Sequence, residues 1–385
     1  MSNYLLSKVV FLIFIFNRSV RTMLVFCFLS FLSVPSSYGM TVDYATNLKV
    51  DEVDGCYLVT VDRPYYGATE PEVVLLVPED MEPSVSMDGI SRIDIPLNRI
   101  VVGTTPAVAC LDALDSLDLL VGLAGGKYVY TDSVRKMGLP EVASDGGMSR
   151  SLDKERLLEL APDGFITYLY GDEERRDVDF LRNCGVPVLF MAEYLEDSPL
   201  ARAEWIKFIG LLVGREEQAT EIFDKVVRRY EELASMVDKS QVRPLVLSGA
   251  PFGGVWYVPR RGSWPSIMFR AAGAKSLWND LEGTGTAPMD LEAVLVRAES
   301  SDIWLNCGSW RSLEDAERSG LPIEAFPPFE KGEIYNNDRR VTSEGGNDYY
   351  QSGIIRPDMI LADLISIIHP EKMRDHELFY YRKLQ

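Results

Sequence analysis

The sequence predicts an α/β protein of two similar lobes, each with a central parallel sheet, joined by a single long backbone helix and preceded by an N-terminal β appendage. Three observations carry this. First, a Glu-led amphipathic phrase occurs twice, as SLDKERLLELAPDGFITYL over 151–169 and PMDLEAVLVRAESSDIWL over 288–305. Aligned on Glu155 and Glu292, each copy has Leu or Val two residues later, Leu three later and Ala six later, then an Asp and a short apolar run. Such a phrase is a capped helix followed by a buried strand. Second, short apolar runs alternate with helical stretches on both sides of residues 199–240, the grammar of parallel-sheet proteins. Third, residues 199–240 read as helix without a strand signal.

The elements follow in order. Residues 1–39 contain no acid and carry Lys8, Arg18 and Arg21, with apolar runs at Val9–Phe16 and Leu24–Val34. Neither run reaches the roughly 20 apolar residues of a membrane span. The pattern predicts a secretory signal peptide with Ser37 and Gly39 before a cut at Met40, or a start at Met23. A lipid anchor would use Cys27, but Phe26 precedes it where that cleavage needs a small residue, so an unanchored protein is expected. Residues 40–95 alternate apolar and polar positions in CYLVTVDRPYY and EVVLLVPED, which predicts an antiparallel β appendage.

An N-terminal α/β lobe is expected over 96–198. RIVVGTT and LLVGLAG read as strands around a short helix in VACLDALDSL, and GFITYLYG and VPVLFMAE as two more strands. Each copy of the repeated phrase follows a turn, Asp145-Gly146-Gly147 in the first and Gly283-Thr284-Gly285 in the second. In 199–240, Trp205, Phe208, Ile209 and Leu212 share one helical face, and Ala219, Ile222, Phe223, Val226, Tyr230 and Leu233 continue at helical spacing. An uninterrupted helix from Arg215 to Val237 would be about 35 Å long. That is enough to run between lobes, or to pack within one larger α/β domain. Pro244 opens the strand PLVLSGA, and 241–385 repeats the same grammar as a C-terminal lobe.

The chain has 385 residues and a formal net charge of −19, an acidic balance that argues against nucleic-acid binding. Only His369 and His376 are present, and no G-x-S-x-G elbow, P-loop, H-E-x-x-H or G-x-G-x-x-G turn occurs. The expectation is therefore a protein that is not an enzyme, with no cofactor and no metal site of its own. Cys56, Cys110, Cys184 and Cys307 show no metal-ligand spacing and are expected to be small buried residues, one opportunistic disulfide aside.

Aromatic and Arg side chains concentrate after the predicted strands: Tyr128 and Tyr130, Tyr168 and Tyr170, Trp256 and Tyr257 with Arg260 and Arg261, Trp310, and Arg339 and Arg340. In open α/β sheets ligands bind outside the carboxyl ends of the strands. Rings there form a rigid apolar wall, and Arg holds carboxylate or catecholate groups, so a large, flat or chelated, partly anionic ligand is expected. Glu155 and Glu292 each fall in a first helical turn, where the helix dipole alone also favours a carboxylate.

Taken in order, RIVVGTTPAVACLDALD, LLVGLAGG, DKERLLELAPDGFI, the long helix, DLEAVLVRAESSDIWL and NDYYQSGIIRPDMILADLISIIHPE resemble a periplasmic substrate-binding protein of the ABC importers for iron–siderophore complexes, haem and cobalamin, the helical-backbone type. The resemblance covers about residues 95–385. It implies two Rossmann-like lobes with the ligand between them and small lobe motion. It implies capture of an iron chelate (siderophore or haem), or of cobalamin as the alternative, by a monomer that delivers it to an inner-membrane permease dimer. Glu155 and Glu292 match the family's permease-docking carboxylates, and Tyr128, Tyr168, Trp256, Tyr257 and the segment at Asp338–Arg340 match its ligand-contacting turns. A Tyr stands where the family often has Trp after the second strand, and the 41–95 appendage exceeds the minimal family. A sensor or a chelate-modifying enzyme are the rival readings.

Overall fold

Alternation of apolar and polar residues builds the first sheet. In the computed structural model, which describes residues 40–81, 89–144, 151–172, 174–237 and 243–385, strands β1 (Leu48–Val53), β2 (Cys56–Val61), β3 (Glu72–Pro78) and β4 (Ser91–Ile95) pair in that order. β1–β2 and β2–β3 are antiparallel, but β3–β4 is parallel. The expected all-antiparallel appendage is corrected here. The connection from Pro78 to Ser91 is longer than a hairpin turn and leaves room for a parallel return. The predicted signal peptide and the turn Asp145-Gly146-Gly147 lie outside the described residues.

The two parallel sheets that follow have one topology. In the first, β5 (Ile100–Val102) leads through α1 (Thr105–Ala113) to β6 (Leu120–Leu123) and α2 (Asp132–Met137). The short pair β7 (Ala143–Ser144) and β8 (Ser151–Leu152) precedes α3 (Lys154–Leu160), β9 (Gly164–Thr167), α4 (Arg175–Asn183) and β10 (Val188–Phe190). The order is β10-β9-β5-β6, all parallel. In the second, after α5 (Pro199–Leu212) and α6 (Glu216–Ser235), β11 (Leu245–Ser248) takes the central place. A side sheet of β12 (Pro251–Phe252), β13 (Val255–Pro259) and β15 (Thr286–Met289) flanks it, with α7 (Trp264–Ala271) and β14 (Lys275–Ser276) between. Next come α8 (Leu291–Ala298), β16 (Ile303–Leu305), α9 (Leu313–Arg318), α10 (Pro327–Glu330), β17 (Ile334–Asn336), α11 (Ser352–Ile355), α12 (Pro357–Ile368) and β18 (Arg382–Lys383). This sheet runs β14-β11-β16-β17-β18, with only the β17–β18 pair antiparallel.

The repeated phrase is thus a repeated structure. Asp153 and Asp290 are the N-caps of α3 and α8, accepting from the Arg156 and Ala293 N–H groups. Glu155 and Glu292 follow two residues after each cap, and Leu157 and Val294 are both fully buried. The Asp after each helix then fixes the sheet. Asp163 takes the Asn98 and Arg99 N–H groups at 2.9 Å, and Asp302 takes the Leu245 N–H at 2.9 Å. Each ties the start of its strand to the central strand beside it.

The helical segment 199–240 divides just before Arg215, where the long helix is expected to begin. Gly214, at φ +65°, breaks it, so α5 and α6 lie packed against each other. A left-handed φ there favours glycine, and Pro96 packs at the same place. The long helix α6 is present at roughly 30 Å. Gln218 near its start donates to the Ala113 carbonyl, and Lys372 donates to the Met236 carbonyl beyond its end. Helix α5 is the more buried of the two, with Trp205, Phe208, Ile209 and Leu212 all at 1 % exposure or less. It touches α1, α7, α11 and α12.

Two buried carboxylates anchor segments far from them in sequence. Glu204 of α5 accepts the N–H groups of Asp43, Tyr44 and Ala45 at 2.7–2.9 Å and the Lys207 ammonium at 2.8 Å. Asp363 of α12 accepts those of Phe379, Tyr380 and Tyr381, with His376 beside it. The four described cysteines are free; Cys56, Cys110 and Cys307 are buried, while Cys184 is exposed, against expectation, because it lies at the solvent-facing end of α4.

Candidate functional site

A cleft of about 820 Å³ opens at the carboxyl ends of the first parallel sheet. The turn after β5 supplies Thr104, Thr105 and Pro106; the turn after β6 supplies Tyr128; the turn after β9 supplies Tyr168 and Tyr170. The turn after β10 gives Glu193 and Tyr194, α5 gives Arg202, and the far wall is Tyr350 and Ile354 beside α11. Five tyrosines therefore surround it. The Tyr168 hydroxyl donates to that of Tyr170 at 3.3 Å, their rings meet edge to face at 5.1 Å, and Tyr194 stands 6.1 Å from Tyr168. Tyr194 is fixed by donating to the Leu169 carbonyl at 2.6 Å, and burial pushes its phenol up to about 12. Tyr128, Tyr170 and Tyr350 are 41–62 % exposed, the signature of rings that wait for a partner surface.

The far wall is tied to the first sheet on one side. Gln351 accepts the Tyr130 N–H at 2.8 Å and donates to the Thr131 hydroxyl, and Arg340 lies over the Tyr130 ring. Arg340 is also bonded to Asp348 at 2.6 Å. Tyr130 and Arg340 thus belong to a bridge between the two halves rather than to the lining of the cleft.

Several sequence-predicted site residues lie elsewhere. Trp256 is 1 % exposed, stacked on Trp304 and Phe326 and bonded through Nε1 to the Ser248 carbonyl. Trp310 packs edge-on against Trp304. Both are core: the β12–β13–β15 sheet turns the Trp256 indole inward, and Trp310, which follows β16, packs into the same apolar cluster. All six tryptophans are at 8 % exposure or less. Tyr257 points the opposite way on β13, half exposed beside Pro288. Arg260 donates to the Thr286 and Glu282 carbonyls, Arg261 pairs with Glu282, and Arg339 pairs with Glu377. Partners 21 to 38 residues away in sequence satisfy these guanidinium groups. Arg202, Glu193, Tyr194 and Tyr350 were missed: Arg202 sits in a stretch read as core helix, and no local pattern sets the others apart.

Arg202 donates to the Tyr194 carbonyl at 2.7 Å and the Glu196 carbonyl at 3.3 Å, and its guanidinium lies 5.6 Å from the Trp264 ring. In the same wall Glu193 is 5 % exposed, and its Oε2 has no hydrogen-bond partner among the described residues. Burial pushes the Glu193 carboxyl up to about 7, against the pull of Arg202 and the nearby N–H groups of Glu193 and Tyr194. Glu196 adds a like charge. The folded form then holds a proton that the unfolded chain releases near 4.5. Stability should be full below that value and fall by up to about 3 kcal/mol as pH rises through 7. Denaturant melts between pH 5 and 8 should show that decline in the native protein and its loss in Glu193→Gln.

Glu155 and Glu292 are exposed, and neither forms an ion pair with another described residue. A model of the periplasmic binding protein family matches residues 100–318, more than half of the chain. The chain belongs to this family. Among curated relatives, an uncharacterized lipoprotein of Methanocaldococcus jannaschii is 25 % identical over 336 residues, 83 % of this chain and 78 % of that protein. A second uncharacterized lipoprotein of the same organism is 26 % identical, over 76 % of this chain and 75 % of its own. Their naming gives no support to the expectation that a lipid anchor is absent. Among solved structures, the periplasmic heme-binding protein RhuT of Roseiflexus sp. RS-1 superposes with a TM-score of 0.56 at 21 % identity, covering 71 % of this chain and 99 % of that one. The periplasmic vitamin B12 binding protein BtuF of Vibrio cholerae gives 0.51 at 15 % identity, over 73 % and 99 %. These likenesses show a shared two-lobe α/β fold. The family is one of solute-binding proteins rather than enzymes.

Proposed function

We propose that this periplasmic binding protein captures a metal chelate in the tyrosine-lined cleft and hands it to an ABC importer. The cleft itself carries the reading: about 820 Å³ at the carboxyl ends of a parallel sheet, walled by five tyrosines, suits a large, rigid, partly apolar ligand. Among the described residues no His, Cys and carboxylate side chains cluster as a metal site, so the metal would arrive already chelated. Phenol oxygens are hard ligands suited to ferric iron, which favours an iron chelate, a siderophore or haem. A corrinoid is the second reading. It is favoured by one specific observation: Arg260, Arg339 and Arg340, the residues expected to hold anionic groups, do not line the cleft.

In this reading residues 96–198 and 241–385 act as the lobes, 199–240 as the link between them, and Glu155 and Glu292 as the contacts with the permease dimer. The protein works as a monomer. The test is a titration of the purified protein with haem, cyanocobalamin, a ferric trishydroxamate and a ferric triscatecholate, followed by absorbance and by fluorescence of Trp264, the indole under Arg202. One ligand should bind saturably at one to one. Tyr128→Ala and Tyr168→Ala should each weaken it about tenfold, from the loss of roughly 1–1.5 kcal/mol of aromatic contact. Absence of binding across the panel removes the metal-chelate reading.

A further inference from the structure

The buried carboxylate in the cleft wall, Glu193, has consequences for which chelate is bound, given that the cleft is the ligand site. Arg202 is the one cationic residue among those lining the cleft. Its Nε and Nη2 are held by neutral carbonyls, and its Nη1 makes no hydrogen bond to a described residue. Glu193 lines the same cleft, and its field, with those of Tyr349, Glu196 and Asp197, opposes the lowering of the Arg202 pKa by burial. Glu196 is already committed to the N–H groups of Thr46 and Asn47 and to the Trp205 indole. The Glu193 carboxyl meets only the N–H groups of its own residue and Tyr194, and its Oε2 has no hydrogen-bond partner among the described residues.

We propose that Glu193 and Arg202 together are the specificity determinant of the cleft, selecting a metal chelate that presents at most one anionic group and an oxygen acceptor that Arg202 holds. The reasoning is one of charge balance. A single guanidinium, with the Glu193 carboxyl in the same wall, can satisfy a carbonyl or one carboxylate. A second or third anionic group on the ligand would be desolvated against tyrosine faces with no cation to meet it, and buried unpaired charge is costly. Glu193 lines the same wall at 5 % exposure and acts here through its charge, while the Tyr194 and Glu196 carbonyls position Arg202. The groups facing Glu193 are Arg202 of α5, the thiol of Cys110 in α1, Glu196 and Tyr194. Among these Arg202 alone is cationic, so no other group relieves the field that Glu193 places on the cleft.

The experiment compares affinities at pH 8 for two uncharged or amide-rich chelates, cyanocobalamin and a ferrichrome-type trishydroxamate, and two carrying several anionic groups, haem and a ferric triscatecholate. The native protein should prefer its best amide or hydroxamate ligand over the anionic pair by at least about thirtyfold. Glu193→Gln, nearly isosteric, should cut that ratio about tenfold by strengthening anion binding, with a sharp cooperative melt showing that it folds. Tightest binding of haem or the triscatecholate by the native protein overturns the proposal while leaving the receptor reading intact. A selectivity ratio unchanged in Glu193→Gln overturns it too. No binding of any of the four removes the receptor reading, and the specificity argument with it.

Discussion

Reversing both proposed docking carboxylates, Glu155→Arg with Glu292→Arg, is expected to abolish ligand uptake in cells while leaving ligand affinity in solution within twofold. Both side chains sit at the same position of equivalent helices, two residues after an Asp cap, and both are exposed. Their internal contribution is limited to the helix dipole, worth about 0.3–1 kcal/mol each at an exposed site, so the double variant should still fold. Neither lines the tyrosine cleft. An exposed carboxylate kept at matched places in two halves of a molecule is what a two-fold partner with basic pockets would read, and like-charge juxtaposition there costs several kcal/mol. Each single reversal should reduce uptake less than the pair. Uptake assays in cells carrying the matching permease, alongside titration of the purified variant, separate docking from binding. Normal transport by the double variant would end the docking assignment.

The repeat was legible because one short phrase encodes several physical tasks at fixed offsets. The cap, the buried Leu157 or Val294 and the Asp that ties down the next strand all lie within a dozen residues, so periodicity reveals them. The long helix was legible for the same reason. Tyr128, Tyr168 and Tyr170 were found because position after a strand already places a residue at the sheet's carboxyl edge. That rule failed for Trp256 and Trp310. Whether a ring after a strand turns outward or inward depends on the side sheet β12–β13–β15, whose strands come from both sides of α7. The arginine pairs misled because Glu282, Glu377 and Asp348, which neutralise them, are separated from them by 8 to 38 residues. Glu193 and Arg202 were invisible since their meaning is a nine-residue coincidence of a turn and a helix that look like ordinary core. The parallel β3–β4 pair has no signature in alternation, which reports which face is buried and not strand direction.

Glu204→Ala is expected to be among the most destabilising substitutions in the chain, by about 3–5 kcal/mol. Glu204 has no exposed surface, and its two oxygens satisfy three consecutive N–H groups from Asp43 to Ala45. Lys207, 3 % exposed, has Glu204 as its ion-pair partner. Truncation would remove the carboxylate beside a buried ammonium and the acceptor that three consecutive backbone donors share. Lys207 also lies 4.7 Å from the Phe223 ring of α6, so the loss reaches the packing between α5 and α6. Glu204→Gln should be milder, because an amide oxygen can still accept from the segment while losing the charge that Lys207 needs. Pairing Glu204→Ala with Lys207→Met should recover much of the deficit, since an apolar pair leaves no buried charge behind. Urea melts of the three variants measure this order. A loss below 1 kcal/mol for Glu204→Ala would mean that the 43–45 segment hangs on other contacts. The larger loss would place the rigidity of α5, and with it the position of Arg202 at the cleft, under the control of a segment about 160 residues away in sequence.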